Sequence, residues 1–141
     1  MVLRNRLLAL GIVLLVAVGA GSGVAAPPRP DLLVSVSATG GLCPARVCRW
    51  SAQITTTTIS AEGRQSRRLT PSERRALTAA IAQLRPPSLP KFTGTCPIAY
   101  DGQELTYRFR GKRALRSCTY DLRGVRAVML VDRLLASLPS R

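Results

Sequence analysis

An apolar run of twelve residues near the N-terminus, Leu7 to Val18, constrains this chain more than any other feature, because it separates a segment suited to export from one left to fold. Arg4 and Arg6 precede the run, and the small residues Gly19 to Ala26 follow it. That order of positive, apolar and small residues predicts a Sec-type signal peptide over residues 1–25, cut between Ala25 and Ala26, with Gly23 and Ala25 in the small-residue positions. A retained anchor is the competing reading, since Leu7 to Pro28 is 22 residues without a charge, long enough to span a bilayer. Gly19, Gly21, Ser22 and Gly23 dilute its second half, however, and the strongly apolar part is too short to span. The expected location is secreted or extracytoplasmic, with no stable membrane span after cleavage. The first cysteine, Cys43, is far from the cut, so no lipid attachment is expected.

Of 141 residues, about 116 then remain, the length of one domain. A Pro-rich leader, residues 26–31, runs into a single domain over 32–141. A domain of this size buries a modest share of its chain surface and gains from covalent ties. Cys43, Cys48, Cys96 and Cys118 all fall in the exported part. An even number of cysteines in an oxidising compartment predicts two disulfides. Of the three pairings, Cys43–Cys48 with Cys96–Cys118 is favoured, because each bridge then closes one local region. Zinc competes for the same thiolates, but Cys-x4-Cys followed by two widely spaced cysteines departs from the paired short spacings of zinc sites. The Cys-x-x-Cys of a thioredoxin-like redox centre is missing. Neither a metal nor another cofactor is expected.

Composition narrows the function. Histidine is absent, which removes His-based acid/base catalysis, Ser-His-Asp and Cys-His nucleophiles and every His-containing metal site. The seven carboxylates, Asp31, Glu62, Glu73, Asp101, Glu104, Asp121 and Asp132, are scattered singly, without the pairing that carboxylate catalysis needs. The expectation is a protein that binds and does not catalyse. The net charge is +14, or +12 without Arg4 and Arg6, which draws such a domain to anionic surfaces. Nucleic acid is not expected: six aromatic residues make a poor stacking platform, and export removes the partner.

Local patterning supplies the elements. Leu32, Val34, Val36 and Ala38 alternate with Ser35 and Ser37, as in a half-buried strand. Trp50 to Ile59 reads as one second strand, stiffened by four consecutive threonines. Ala61-Glu62-Gly63 then reads as a hairpin turn into a short strand ending near Leu69. Thr70-Pro71-Ser72-Glu73 is a capping box with proline at the first helical position. Leu77, Ala80, Ile81 and Leu84 follow at helical spacing until Pro86-Pro87 stops the run. Beyond a linker, Asp101-Gly102 marks a turn, and Leu105, Tyr107 and Phe109 alternate with Thr106, Arg108 and Arg110. Residues 111–113 turn the chain into a strand over 114–120. Val125, Val128, Met129, Val131, Leu134, Leu135 and Leu138 give an apolar final helix ended by Pro139. The predicted class is α+β: a small antiparallel sheet with two helices packed on one face. Residues 32–85 and 92–138 share an order of Cys-Pro turn, strands and helix, the trace that a degenerate duplication would leave.

One stretch carries a resemblance. Cys96-Pro97-Ile98-Ala99-Tyr100-Asp101 resembles the reactive loop of the subtilisin-inhibitor-like family, secreted bacterial protease inhibitors that are small α+β domains with two disulfides. The likeness covers six residues, and the family carries proline where this chain has Gly102. The resemblance implies a serine-protease inhibitor in which Ile98 fills the protease's primary pocket and Ala99 follows the scissile bond. Cys96, through Cys118, would tether the loop. Such a loop is held extended, so that little entropy is lost on binding and its backbone can join the enzyme as a strand. The overall pattern is also similar to small exported domains of high-GC bacteria. The alternative function comes from charge: an envelope-associated domain binding anionic polymers through Arg64, Arg67, Arg68, Arg108, Arg110, Lys112, Arg113 and Arg116, which alternating strands would gather on one face.

Overall fold

The computed structural model describes residues 31–40, 48–100 and 102–140. The expected signal peptide lies outside them, as do Cys43 and all of the leader except Asp31. The chain runs β1 (Leu32–Gly40), β2 (Trp50–Thr55), β3 (Thr58–Ala61), β4 (Arg67–Arg68), α1 (Pro71–Gln83), β5 (Gln103–Phe109), β6 (Leu115–Arg116) and α2 (Arg126–Ala136). Short 3₁₀ turns occupy Pro86–Ser88 and Pro97–Tyr100. The six strands form one sheet in the order β4-β3-β2-β1-β5-β6, every pair antiparallel.

Register explains why one face of this sheet is a core and the other is not. Val34 lies opposite Ile54 and Phe109, Val36 opposite Ala52 and Tyr107, and Ala38 opposite Trp50 and Leu105. Side chains alternate with period two, so these residues share a face with Ile59 and Leu115. The intervening positions turn outward: Ser35 lies between Gln53 and Arg108, and Ser37 between Ser51 and Thr106. The apolar face meets Leu77, Ala80 and Ile81 of α1 and Ala127, Val128, Val131 and Leu134 of α2 in one continuous core. Both helices therefore cover the same face, and the fold is α+β. Tyr107 and Phe109 stack in that core with ring centroids 6.3 Å apart.

The capping box forms as its spacing predicts. The Thr70 hydroxyl accepts the Glu73 amide at 3.3 Å, and Glu73 Oε2 accepts the Thr70 amide at 2.9 Å. Two donors that a helix start would otherwise leave unpaired are thus satisfied.

Two expectations are corrected. The long strand from Trp50 to Ile59 is two strands, because Thr55 Oγ1 accepts the amides of Thr57 at 3.2 Å and Thr58 at 2.9 Å and folds the threonine run into a turn. A short hydroxyl side chain that bonds nearby backbone competes with the strand ladder, and here it wins over β-branched stiffness. The strand over 114–120 shrinks to Leu115–Arg116, since the Thr119 and Tyr120 amides both bond back to the Arg116 carbonyl. The expected Cys96–Cys118 disulfide is present among the described residues. The other expected bridge needs Cys43, which is outside them. Among the described residues, 32–85 hold β1 to β4 and α1, and 92–138 hold β5, β6 and α2. No helix among the described residues is long and apolar enough to cross a membrane.

Candidate functional site

The loop expected to face a protease is folded on itself. Pro97–Tyr100 is a 3₁₀ turn in which the Ala99 amide bonds to the Cys96 carbonyl at 3.0 Å. The Gly102 amide bonds to the Pro97 carbonyl at 2.8 Å. Glycine is required at 102, because a Cβ there would sit 2.4 Å from that of Pro97. Proline, the family's residue, would also lack the amide donor. Cys96 is tied to Cys118 as expected, and Ile98 is exposed. Asp101 lies outside the described residues.

The eight basic residues do not form one site. β4 and β6 are opposite edges of the sheet, five strand spacings or roughly 24 Å apart. At the β4 edge, Arg67 turns to the helix side, where its guanidinium holds Glu73 at 2.8 and 3.0 Å and Ser137 at 2.7 Å. That ion pair, the Thr70 hydrogen bonds assisting, lowers the Glu73 pKa to about 2. Arg64 donates to the Leu138 carbonyl at 3.3 Å, pinning the segment after α2. Arg68 alone of this group shares the outward face. The β5–β6 hairpin carries the rest. Gly111, with φ of 68°, turns the chain so that Arg108, Arg110, Lys112, Arg113 and Arg116 crowd into one hairpin. Arg116 is held at 2.5 Å by Glu104, the single carboxylate of the hairpin, which is 3 % exposed.

A third site went unread in the sequence. Between the inner side of β5 and the start of α2 lies a cavity of about 450 Å³, walled mainly by Phe92, Leu105, Tyr120, Leu122, Val128 and Met129. Asp132 and Asp121 also line it. The Tyr107 hydroxyl donates to Asp132 Oδ1 at 2.8 Å, and burial, reinforced by this bond, raises the Tyr107 pKa. Much of Asp132 faces solvent, yet the apolar surroundings of its carboxyl raise its pKa, against the opposing pull of the Tyr107 bond. Asp121 behaves in the opposite way. Its oxygens accept Arg123 Nε at 2.9 Å, Arg123 Nη2 at 2.7 Å and the Arg123 amide at 3.1 Å, which lowers its pKa to about 2. Pro97 and Ser117, each next in sequence to a cysteine of the Cys96–Cys118 bridge, also line the cavity, and Lys91 lies over the Tyr120 ring, 4.9 Å from its centroid. The only trace in the sequence is one acid, Asp132, inside the apolar run Val128 to Leu135. Compared with known proteins, the chain matches no family model, no curated protein and no solved structure.

Proposed function

We propose that this chain is an exported, non-enzymatic binding domain that attaches to an anionic cell-envelope polymer through the outward sides of β1 and β2, Arg68 and the β5–β6 hairpin. One observation carries this reading. The register places hydroxyl, amide and charged side chains at the paired outward positions, with Arg108 and Arg116 at one side and Arg68 at the other. Ser35, Ser37, Ser51 and Gln53 lie between them. A long polymer can follow such a face over several strands, bonding to hydroxyls between the cationic ends. The charge of +12 that remains without Arg4 and Arg6 supplies the long-range attraction. A disulfide-tied domain also suits an oxidising compartment and the expected export.

The inhibitor reading is less well supported by the geometry. Strand addition in a protease cleft needs an extended segment, and Pro97–Tyr100 would have to release its internal hydrogen bonds first.

Purified, oxidised protein mixed with isolated cell wall rich in phosphate-bearing polymer should be retained at low salt. It should be released steeply towards 1 M salt, where the screening length falls to about 3 Å. Replacing Arg108, Lys112 and Arg113 together by Glu should abolish retention, while Arg64→Gln should leave it unchanged. Retention that ignores salt or survives the triple replacement overturns the proposal. Stoichiometric inhibition of a subtilisin-like protease, with cleavage between Ile98 and Ala99, would establish the loop reading in its place.

A further inference from the structure

The cavity beside α2 is a different kind of site from the basic sheet face, and its charge is opposite to that of the molecule. Five neighbouring facts define it. Its volume, about 450 Å³, falls in the range of small-molecule pockets. Its walls are mainly aromatic and aliphatic, and one wall residue, Met129, is 49 % exposed. Asp132 Oδ1 is oriented by the Tyr107 hydroxyl, whose ring is 1 % exposed and packed in the core. No cation among the described residues pairs with Asp132, although Arg133 is its neighbour in sequence; Arg133 lines the separate cavity between the two helices. Asp121, the second carboxylate of the pocket, is already neutralised by Arg123.

The pocket therefore presents one uncompensated acceptor at the edge of an apolar chamber, in a chain of net charge +14. Glu62 also borders a cavity without an ion pair among the described residues, but no hydroxyl orients it as Tyr107 orients Asp132. Two other cavities are of similar size: one of about 450 Å³ beside Thr56–Thr58 holds Arg68 and Arg74 and no carboxylate, and one of about 420 Å³ between the helices contains Arg67 and Glu73, which are bound to each other and offer no such acceptor.

We infer that this pocket binds a small organic monocation: an apolar or aromatic body carrying one protonated amine. The body would lie against Phe92, Leu122 and Met129, and the ammonium group would donate to Asp132 Oδ2 while Tyr107 holds Oδ1. Aromatic walls favour a cation near them as well as an apolar body. A ligand with two positive charges gains nothing further, because Asp121 is occupied. An anionic ligand meets Asp132 as a repulsive charge.

The test compares 2-phenylethylammonium with the neutral 2-phenylethanol and the anionic 3-phenylpropionate. Binding to the intact oxidised protein is followed by backbone NMR shifts at fixed salt and pH 7. The ammonium probe should shift residues 105–107, 120–123 and 128–132. Its affinity should exceed that of the alcohol by tenfold or more, and the carboxylate should be weaker still. Asp132→Asn should bring amine and alcohol to within about twofold, whereas Asp121→Asn should preserve the preference. Thermal melts of both variants confirm that the fold is kept. Equal affinity of amine and alcohol, absence of shifts in the pocket, or loss of preference in Asp121→Asn but not in Asp132→Asn overturns the inference. Cell-wall retention is read on a different face and is independent of these outcomes.

Discussion

Glu73 and Asp132 are both single carboxylates at the surface of a basic domain, and the fold treats them in opposite ways. Glu73 holds Arg67 in a two-point ion pair and caps α1 through the Thr70 amide, so each of its oxygens is used. Asp132 accepts one hydroxyl and meets no cation among the described residues. The first arrangement closes the β4 end of the molecule, locking β4 to both helices through Glu73 and Ser137. The second leaves a polar acceptor beside an open apolar chamber. The contrast separates a charge that serves the fold from a charge held for something else.

The comparison can be sharpened first where the pocket end is held covalently. Cys118→Ser opens a bridge of sequence separation 22, and should lower stability by about 3 kcal/mol in a denaturant titration under oxidising conditions. The pocket should bind both the amine and the alcohol probe more weakly in the same variant, because Pro97 is no longer anchored to one wall. Next, Glu73→Ala removes a cap and an ion pair together and should cost about 1–2 kcal/mol, read as a fall in Tm. Tyr107→Phe removes one partly buried hydrogen bond and should cost about 1 kcal/mol. Met129→Ser, at an exposed wall of the pocket, should stay within about 0.5 kcal/mol while weakening the probe amine. If Glu73→Ala cost less than Met129→Ser, the division between a structural end and an open end would fail.

Acid sets the two carboxylates against each other. Glu73 has its pKa lowered in the folded state, to about 2 from an ordinary 4.5. Its contribution to stability is therefore full above about 4.5 and is lost as the pH falls towards 2. Asp132 has its pKa raised above an ordinary 3.8. The stability linked to its protonation is full below that ordinary value and is lost as the pH rises through the raised one. Glu73→Gln should flatten the loss of stability on acidification, and Asp132→Asn should deepen it. Unfolding free energies measured at intervals from pH 7 down to 2 would show both slopes, and the same sign in both variants would contradict the comparison.

Local chemistry was legible to the extent that neighbours in sequence are neighbours in space. The capping box of α1 is one example, since Thr70 and Glu73 need only one helical turn to meet. The alternation of Val34, Val36 and Ala38 with serines is another, because strand geometry alone assigns the faces. The threonine run misled for the same local reason. Its β-branched side chains favour a strand, but the Thr55 hydroxyl captures two amides and makes a turn. The candidate sites were less legible. The eight basic residues were grouped by sequence proximity, yet the strand order puts β4 and β6 at opposite edges and turns Arg67 to the far side.

The sequence by itself determined an α+β chain with one apolar sheet face, two helices to cover it and a strong excess of positive charge, because periodicity, capping and composition act over a few residues. Tertiary structure alone decided which charges are spent and which remain. Tyr107 reaches Asp132 across 25 positions, Arg116 reaches Glu104 across 12, and Arg67 reaches Ser137 across 70. Those pairings depend on how β5 lies against β1 and how α2 lies over the sheet. No local pattern records them, because a carboxylate's partner is set by distance in space, and distance in space is what folding creates.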